Sequence, residues 1–253
     1  NTLDERDYCQ SLNFALESAF IHYLARLSDK SVHKLLGLNF KGMASTSFSI
    51  PLLKSNEELE SFYKEYKLDR FYSLKVKVAS FEDSQRIRHL QKIYPGKFRV
   101  DANEAFDDVD EVLSFLNELD KERIEFLEQP FHASKVESYY SLKEKCPVDL
   151  MADESIVTGE IIDDYQKMFD GVNVKLMKSG GYFRALKQLR DARDKGLKTM
   201  IGCMVETSLG ISCALNLSNC ADYKDLDGFL FLKNDPFNLL IEDKGKILYS
   251  HFQ

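Results

Sequence analysis

At 253 residues, with 44% of them hydrophobic and 30% charged, the chain can bury one large core and has the composition of an ordinary globular protein. A net charge of −7 argues against nucleic acid or an anionic membrane as partner, since both favour a basic surface. The five cysteines are odd in number and lack Cys-x-x-Cys spacing, which excludes an evident disulfide framework or zinc site; reduced thiols in a cytoplasm are the expectation.

No run approaches the roughly 18 apolar residues that span a bilayer, and no signal peptide is visible. Position 1 is Asn rather than Met, so an upstream portion is left open. Residues 10–36 are read as one amphipathic helix, with Leu12, Leu16, Ala19, Phe20, Tyr23 and Leu24 near helical spacing and Gly37 as its stop.

From there strands and helices alternate. Apolar runs predict strands at 45–50, 71–78, 97–102, 124–128, 149–152, 171–176, 198–204 and 226–232. Helical stretches fall between them, at 57–66, 84–93, 109–119, 135–145, 183–195 and 209–220. Strand–helix units of this length imply parallel crossovers. Eight of them predict a TIM-like (β/α) barrel over 41–253 as one catalytic domain, with an open doubly wound sheet as the alternative.

In such a barrel the active site forms at the C-terminal strand ends. Each strand from the second to the eighth ends in an ionisable group flanked by apolar residues: Lys75 and Lys77, Asp101 (with the neutral amide Asn103 two positions on), Glu128, Asp153 and Glu154, Lys175 and Lys178, Glu206, then Asp225 and Asp227. Buried charge is costly unless paired or bound to a metal, so a ring of this kind points to chemistry.

Asp101, Glu128 and Asp153 end three consecutive predicted strands. Three converging carboxylates need a cation among them, and hard oxygen ligands suit Mg²⁺, with Mn²⁺ as the alternative. Taken singly, each acid would read as a cap for the helix that follows. Lys75 and Lys77 share one strand face, with Val76 and Val78 on the other. Lys175 lies four strands further on. A carboxylate held between Lys77 and Lys175 would expose both faces of its α-carbon, one lysine removing the proton and the other returning it through an enediolate. Lys75 is assigned to binding that substrate. Lys178, Asn103, Glu154 and Glu206 are read as supporting residues; Lys178 stands at the end of the sixth strand or, alternatively, in the loop with Ser179-Gly180-Gly181, and Glu206 backs the site or caps the next helix.

These residues resemble the enolase superfamily, most closely its muconate-lactonising branch. The resemblance rests on Lys-x-Lys, Asp-x-Asn, Glu-Gln-Pro, Ala-Asp-Glu-Ser and a Lys ahead of Gly-Gly, all in order from about residue 12 onward. Within the branch, Gly202-Cys203-Met204-Val205-Glu206 and Asp225-Leu226-Asp227-Gly228 look like the dipeptide epimerases. The resemblance implies that Asp225 and Asp227 bind the α-ammonium of a dipeptide and that Lys77 is a base. The expected reaction is Mg²⁺-dependent epimerisation of an Ala-Glu-class dipeptide. A cycloisomerase, an o-succinylbenzoate synthase, an N-acylamino-acid racemase or a barrel without turnover are the alternatives, and a homo-oligomer is compatible with all of them. The family carries an N-terminal capping domain of which only a final helix, within 1–40, is recognisable here, and the C-terminal return stops at Phe252-Gln253.

Overall fold

The structure is a computed structural model that describes residues 8–156 and 159–250. Phe252 and Gln253, where the sequence reading ends the barrel, lie outside the described residues. The chain opens with α1 (Gln10–Leu27), α2 (Val32–Leu35), β1 (Met43–Ser45) and β2 (Phe48–Ile50). It continues through α3 (Asn56–Glu65), β3 (Ser73–Lys77), α4 (Ser84–Ile93), β4 (Lys97–Asp101), α5 (Val109–Asn117), β5 (Ile124–Glu128), α6 (Val136–Lys145) and β6 (Leu150–Ala152). Then come α7 (Tyr165–Met168), β7 (Gly171–Lys175), α8 (Leu176–Ser179), α9 (Tyr182–Asp194), β8 (Lys198–Gly202), α10 (Ser208–Asn216), β9 (Tyr223–Asp225), β10 (Leu240–Asp243) and β11 (Lys246–Tyr249).

One sheet runs in the order β2-β3-β4-β5-β6-β7-β8-β9, each strand beside its sequence neighbour, which is the strand order of the expected (β/α) barrel. A second, antiparallel sheet, β1-β11-β10, has no counterpart in the sequence reading. Its β10–β11 turn is Lys244-Gly245, both residues at positive φ, as a two-residue hairpin requires.

Four expectations need correction. The single helix over 10–36 is two. Asp29, at φ 49, takes the left-handed position after α1, where Lys30 N–H bonds Ala25 C=O at 2.9 Å and Asp29 N–H bonds Arg26 C=O at 3.3 Å. This is a Schellman end built on Asp instead of Gly. The expected buried face of α1 is exposed, with Leu12 at 42% and Phe20 at 58%, whereas Phe14, Ile21 and Ala25 are buried. Both stripes have helical spacing, and periodicity cannot choose between them. The run at 45–50 is split between β1 and β2, in different sheets. The eighth barrel strand is Tyr223–Asp225 rather than 226–232, and Gly228–Phe231 is a 3₁₀ turn.

The chain divides into two compact units. The unit of Thr46–Ser155 with Ile162–Val172 contains β2 to β6. Its register sets Lys77 beside Asp101 and Asp101 beside Glu128, so these side chains share one sheet face. The other face presents Leu74, Val76, Phe98, Val100 and Leu127, all fully buried. Burying each such side chain contributes about 1.5–3 kcal/mol. That apolar layer allows charged strand ends on the opposite side.

The unit of Asn1–Ser45, Ile156–Ile161 and Asn173–Gln253 contains α1, α8 to α10, β8 and β9. Gly202 pairs with Asp225 at the ends of β8 and β9. Helix α1 lies against the Gly180-Gly181 turn. A Cβ on Gly181, whose φ is 137, would meet the Glu17 carboxylate at 2.3 Å, and Glu17 accepts a 3.2 Å bond from Phe183 N–H in the first turn of α9. The pair of glycines after Lys178 thus lets a carboxylate reach a helix N-terminus, where negative charge is favoured.

Candidate active site

In the unit carrying β3 to β6, Lys75 is 3% exposed and is the cation of a buried cluster. Its Nζ lies 3.0 Å from Asp101 Oδ2, 3.0 Å from Glu128 Oε2 and 3.2 Å from Glu128 Oε1. Asp101 and Glu128 are 2% and 0% exposed. Buried charges persist only when paired, and Lys75 supplies the pairing for both carboxylates. Lys77, one turn of the pleat further on, is half-buried, and its Nζ donates to Asn103 Oδ1 at 3.0 Å.

Asn103 holds the next link. Its Nδ2 donates to Glu154 Oε1 at 3.2 Å and its backbone N–H to Asp101 Oδ1 at 3.2 Å, from a left-handed backbone at φ 41. The Glu154 carboxyl is pushed above its ordinary range, first by burial and then by the Asp153 charge, with the Asn103 bond acting against both and Asp101 adding a smaller rise. Its Oε2 is buried without a hydrogen-bond partner among the described residues.

Among the described residues no three His, Cys, Asp or Glu side chains stand arranged to hold a metal ion. Asp101 and Glu128 meet at Lys75; Asp153 is 2% exposed at the end of β6 but does not complete a triad with them. The donor chemistry still fits a hard divalent cation. All three groups are buried carboxylates, and the Glu154 carboxyl next to Asp153 keeps one buried oxygen without a hydrogen-bond partner among the described residues.

Sequence reasoning gave Gln129 no role. It is fully buried at φ 40. Its Oε1 accepts from the backbone N–H of Asp153 at 2.9 Å and of Ser155 at 3.2 Å. Its Nε2 donates to Tyr139 Oη at 2.7 Å, Ser155 Oγ at 2.8 Å and Phe131 O at 3.2 Å. The signal was available only as a polar residue lodged between Glu128 and Pro130.

In the other unit, Lys175 ends β7 and occupies the N-cap position of α8; Lys178 lies inside that short helix, neither on the strand nor in the glycine loop. Glu206 Oε1 accepts from Met204 N–H at 3.2 Å. Burial pushes the Glu206 carboxyl up to about 7, against the lowering influence of that bond and of the Lys175 ammonium. Asp225 and Asp227 are 4% and 3% exposed. Burial raises the Cys203 thiol well above its ordinary value, and Asp227, Asp225 and Glu206 raise it further, so three carboxylates act on one thiol. A Cβ at Gly228 would meet Met204 O at 2.1 Å. The Asp-Gly is therefore a close approach of backbone to Met204, just beyond the end of β8.

A cavity of about 790 Å³ in this unit is lined by His22, Arg26, His33, Phe40, Asn216 and Tyr249 among others, and by none of the predicted site residues. Beside it, His22 contacts Tyr182 Oη at 3.2 Å and Cys213 Sγ at 3.6 Å. Burial lowers the imidazole and raises the thiol to about 11. No helix among the described residues is long and apolar enough to cross a membrane.

Comparison with known proteins agrees with the strand order. The sequence model of the enolase C-terminal domain-like family matches residues 57–243. The L-Ala-D/L-amino acid epimerase of Pedosphaera parvula is 37% identical over 240 residues, covering 93% of this chain and 68% of that protein. A substrate-liganded complex of the L-Ala-D/L-Glu epimerase from Bacillus subtilis superposes with a TM-score of 0.84 at 27% identity, over 95% of this chain and 70% of that one. The dipeptide epimerase from Methylococcus capsulatus, complexed with Mg ion, gives 0.85 at 27% identity, over 98% and 75%.

Proposed function

Because the chain belongs to the enolase C-terminal domain-like family, we propose that it is an isomerase that epimerises a dipeptide at the α-carbon of its C-terminal residue. The observation that carries the reading is the 37% identity, over 93% of the chain, to an L-Ala-D/L-amino acid epimerase. An Ala-Glu-class dipeptide is the proposed substrate.

Asp101, Glu128 and Asp153 are the proposed ligands of one divalent cation, Mg²⁺ before Mn²⁺. When bound, it would polarise the substrate carboxylate and lower the cost of charge developing there. The buried, oxygen-only donor set supports this, as does the Mg complex of the Methylococcus capsulatus relative. Lys75 neutralises Asp101 and Glu128 while the substrate is absent and offers its ammonium to the substrate carboxylate when it arrives.

Lys77 and Lys175 are the proposed proton-transferring pair. One, as free amine, takes the α-proton from one face, and the C–H electron pair is delocalised into the carboxylate. The other, as ammonium, delivers a proton to the opposite face and inverts the centre. Lys77 ends β3 and Lys175 ends β7, so each stands at the C-terminal end of its own strand, as the proposed roles require. The Asn103 amide fixes the Lys77 Nζ, and Glu154 fixes Asn103. Asp225 and Asp227 receive the dipeptide's α-ammonium, an assignment favoured by burial of two carboxylates near one another.

The direct test is incubation with L-Ala-L-Glu and Mg²⁺ in D₂O, followed by NMR. Inversion with deuterium incorporation at the glutamyl α-carbon is expected. No exchange with this or any other dipeptide would defeat the reading.

A further inference from the structure

We infer that Gln129 is a positioning residue that holds the three proposed cation ligands in register, although it contributes no ligand itself. The inference rests on the metal reading proposed above. Gln129 follows Glu128 directly, and its backbone N–H bonds Met151 C=O on β6 at 2.9 Å. Its own C=O accepts from Glu104 N–H at 2.8 Å, in the loop after β4. The side-chain Oε1 takes the backbone N–H groups of Asp153 and Ser155. One residue therefore ties together the ends of β4, β5 and β6, the strands that carry Asp101, Glu128 and Asp153.

The amide is saturated. Oε1 accepts two bonds, and Nε2 donates toward Tyr139 Oη, Ser155 Oγ and Phe131 O. Tyr139 Oη in turn accepts from Phe131 N–H at 3.2 Å and donates to Phe131 C=O. The carboxamide is thus anchored on the α6 side and pulls the backbone at Asp153 from the other. A non-glycine residue at φ 40 is held against its backbone preference, which persists only where the surroundings over-determine it. Glu could not serve, since the site needs an acceptor on one side and a two-proton donor on the other. Met would fill the volume but release Asp153 N–H.

Residues that orient ligands in this way typically change metal affinity by 10- to 100-fold when removed. The experiment is titration of the whole chain with Mn²⁺, following the free-ion electron paramagnetic resonance signal, which needs no turnover. Gln129→Met is expected to weaken Mn²⁺ binding at least tenfold. Tyr139→Phe, which loosens the same network on the side away from Asp153, is expected to lower the melting temperature yet bind Mn²⁺ within about threefold of the parent. Should Gln129→Met not fold, Gln129→Asn keeps the amide but falls one methylene short of Asp153 N–H, and the same loss is expected. Asp153→Asn separates the two ideas. If it abolishes binding while the Gln129 variants bind normally, the positioning role is wrong and the metal site stands. Equal losses in Tyr139→Phe and Gln129→Met would mean general loosening and also overturn it. If the parent chain binds no Mn²⁺, the metal reading fails and takes this inference with it.

Discussion

Lys77 Nζ and Asn103 Oδ1 lie 3.0 Å apart, joining the end of β3 to the loop after β4, while Asn103 Nδ2 is tied to Glu154. A lysine with four rotatable bonds is a poor base unless its nitrogen is fixed relative to the carbon it attacks. Asn103→Ala should therefore lower kcat about tenfold, the worth of one hydrogen bond to a charged group, with KM changed little. Steady-state polarimetry checks this, and a change confined to KM would assign Asn103 to substrate binding instead.

The two-lysine scheme has a sharper test. Lys77→Ala and Lys175→Ala should each abolish epimerisation, because inversion needs a proton-transferring group on both faces. Each variant should still exchange deuterium into the one epimer its remaining lysine reaches. Near-normal epimerisation by either variant would remove that lysine from the pair.

Metal dependence follows from three buried carboxylates with an oxygen-only donor set. EDTA should eliminate turnover and Mg²⁺ should restore it. At a hundred times its dissociation constant the ion should raise unfolding free energy by about 2.7 kcal/mol. Asp101→Asn and Glu128→Gln should lose that increment, measured by denaturant titration with and without Mg²⁺. An increment that survives in both variants would place the ion elsewhere.

Glu206 predicts a pH dependence of stability. Its carboxyl moves from an ordinary 4.5 up to about 7 on folding, so the folded chain binds a proton the unfolded chain has released. The stabilisation is complete below pH 4.5 and is lost as pH rises through 7. The loss should be about 1–3 kcal/mol, since the group is half-buried and partly screened. Glu206→Gln should flatten the unfolding free energy between pH 5 and 8. Parallel curves for parent and variant would show that the carboxylate is already compensated in the fold.

Much of the barrel could be read in advance because one face of its strands is apolar: Leu74, Val76, Phe98, Val100 and Leu127 supply a layer that leaves Lys75, Lys77, Asp101 and Glu128 conspicuous on the other. The seating of α1 could not. Leu12, Leu16 and Phe20 form as regular a stripe as Phe14, Ile21 and Ala25, and the choice between them is made by Gln10 and Glu17 reaching Gly180 and Gly181, more than 160 positions away. The β10–β11 hairpin hid in a short Asp-Lys-Gly-Lys turn whose left-handed lysine has no compositional mark. Gln129 was illegible for a different reason. Its part depends on a positive φ and on loops from three strands, none of which leaves a pattern along the chain.

The dipeptide assignment turns on Asp225 and Asp227. Both are nearly inaccessible, and Gly228 brings their loop onto the backbone of Met204 where any side chain would collide. Burial first, then Asp227, Asp225 and Glu206, raise the Cys203 thiol, so three carboxylates share that corner. A cationic amino terminus is the natural occupant; a second carboxylate, as a cycloisomerase substrate would bring, is repelled. Losing one charge-assisted contact in a desolvated site costs about 1.5–3 kcal/mol, roughly tenfold to more than a hundredfold in kcat/KM. Asp227→Asn should show that loss with free dipeptides while Mn²⁺ affinity stays unchanged. Acetylating the substrate's amino group should cause a similar loss in the parent chain. Combined, the two changes should cost little more than either alone, because each removes the same interaction. Additive losses would mean that Asp227 and the ammonium act independently. Equal turnover of free and acetylated dipeptide by the parent chain would remove the ammonium site altogether and move the assignment to an N-acylamino-acid racemase.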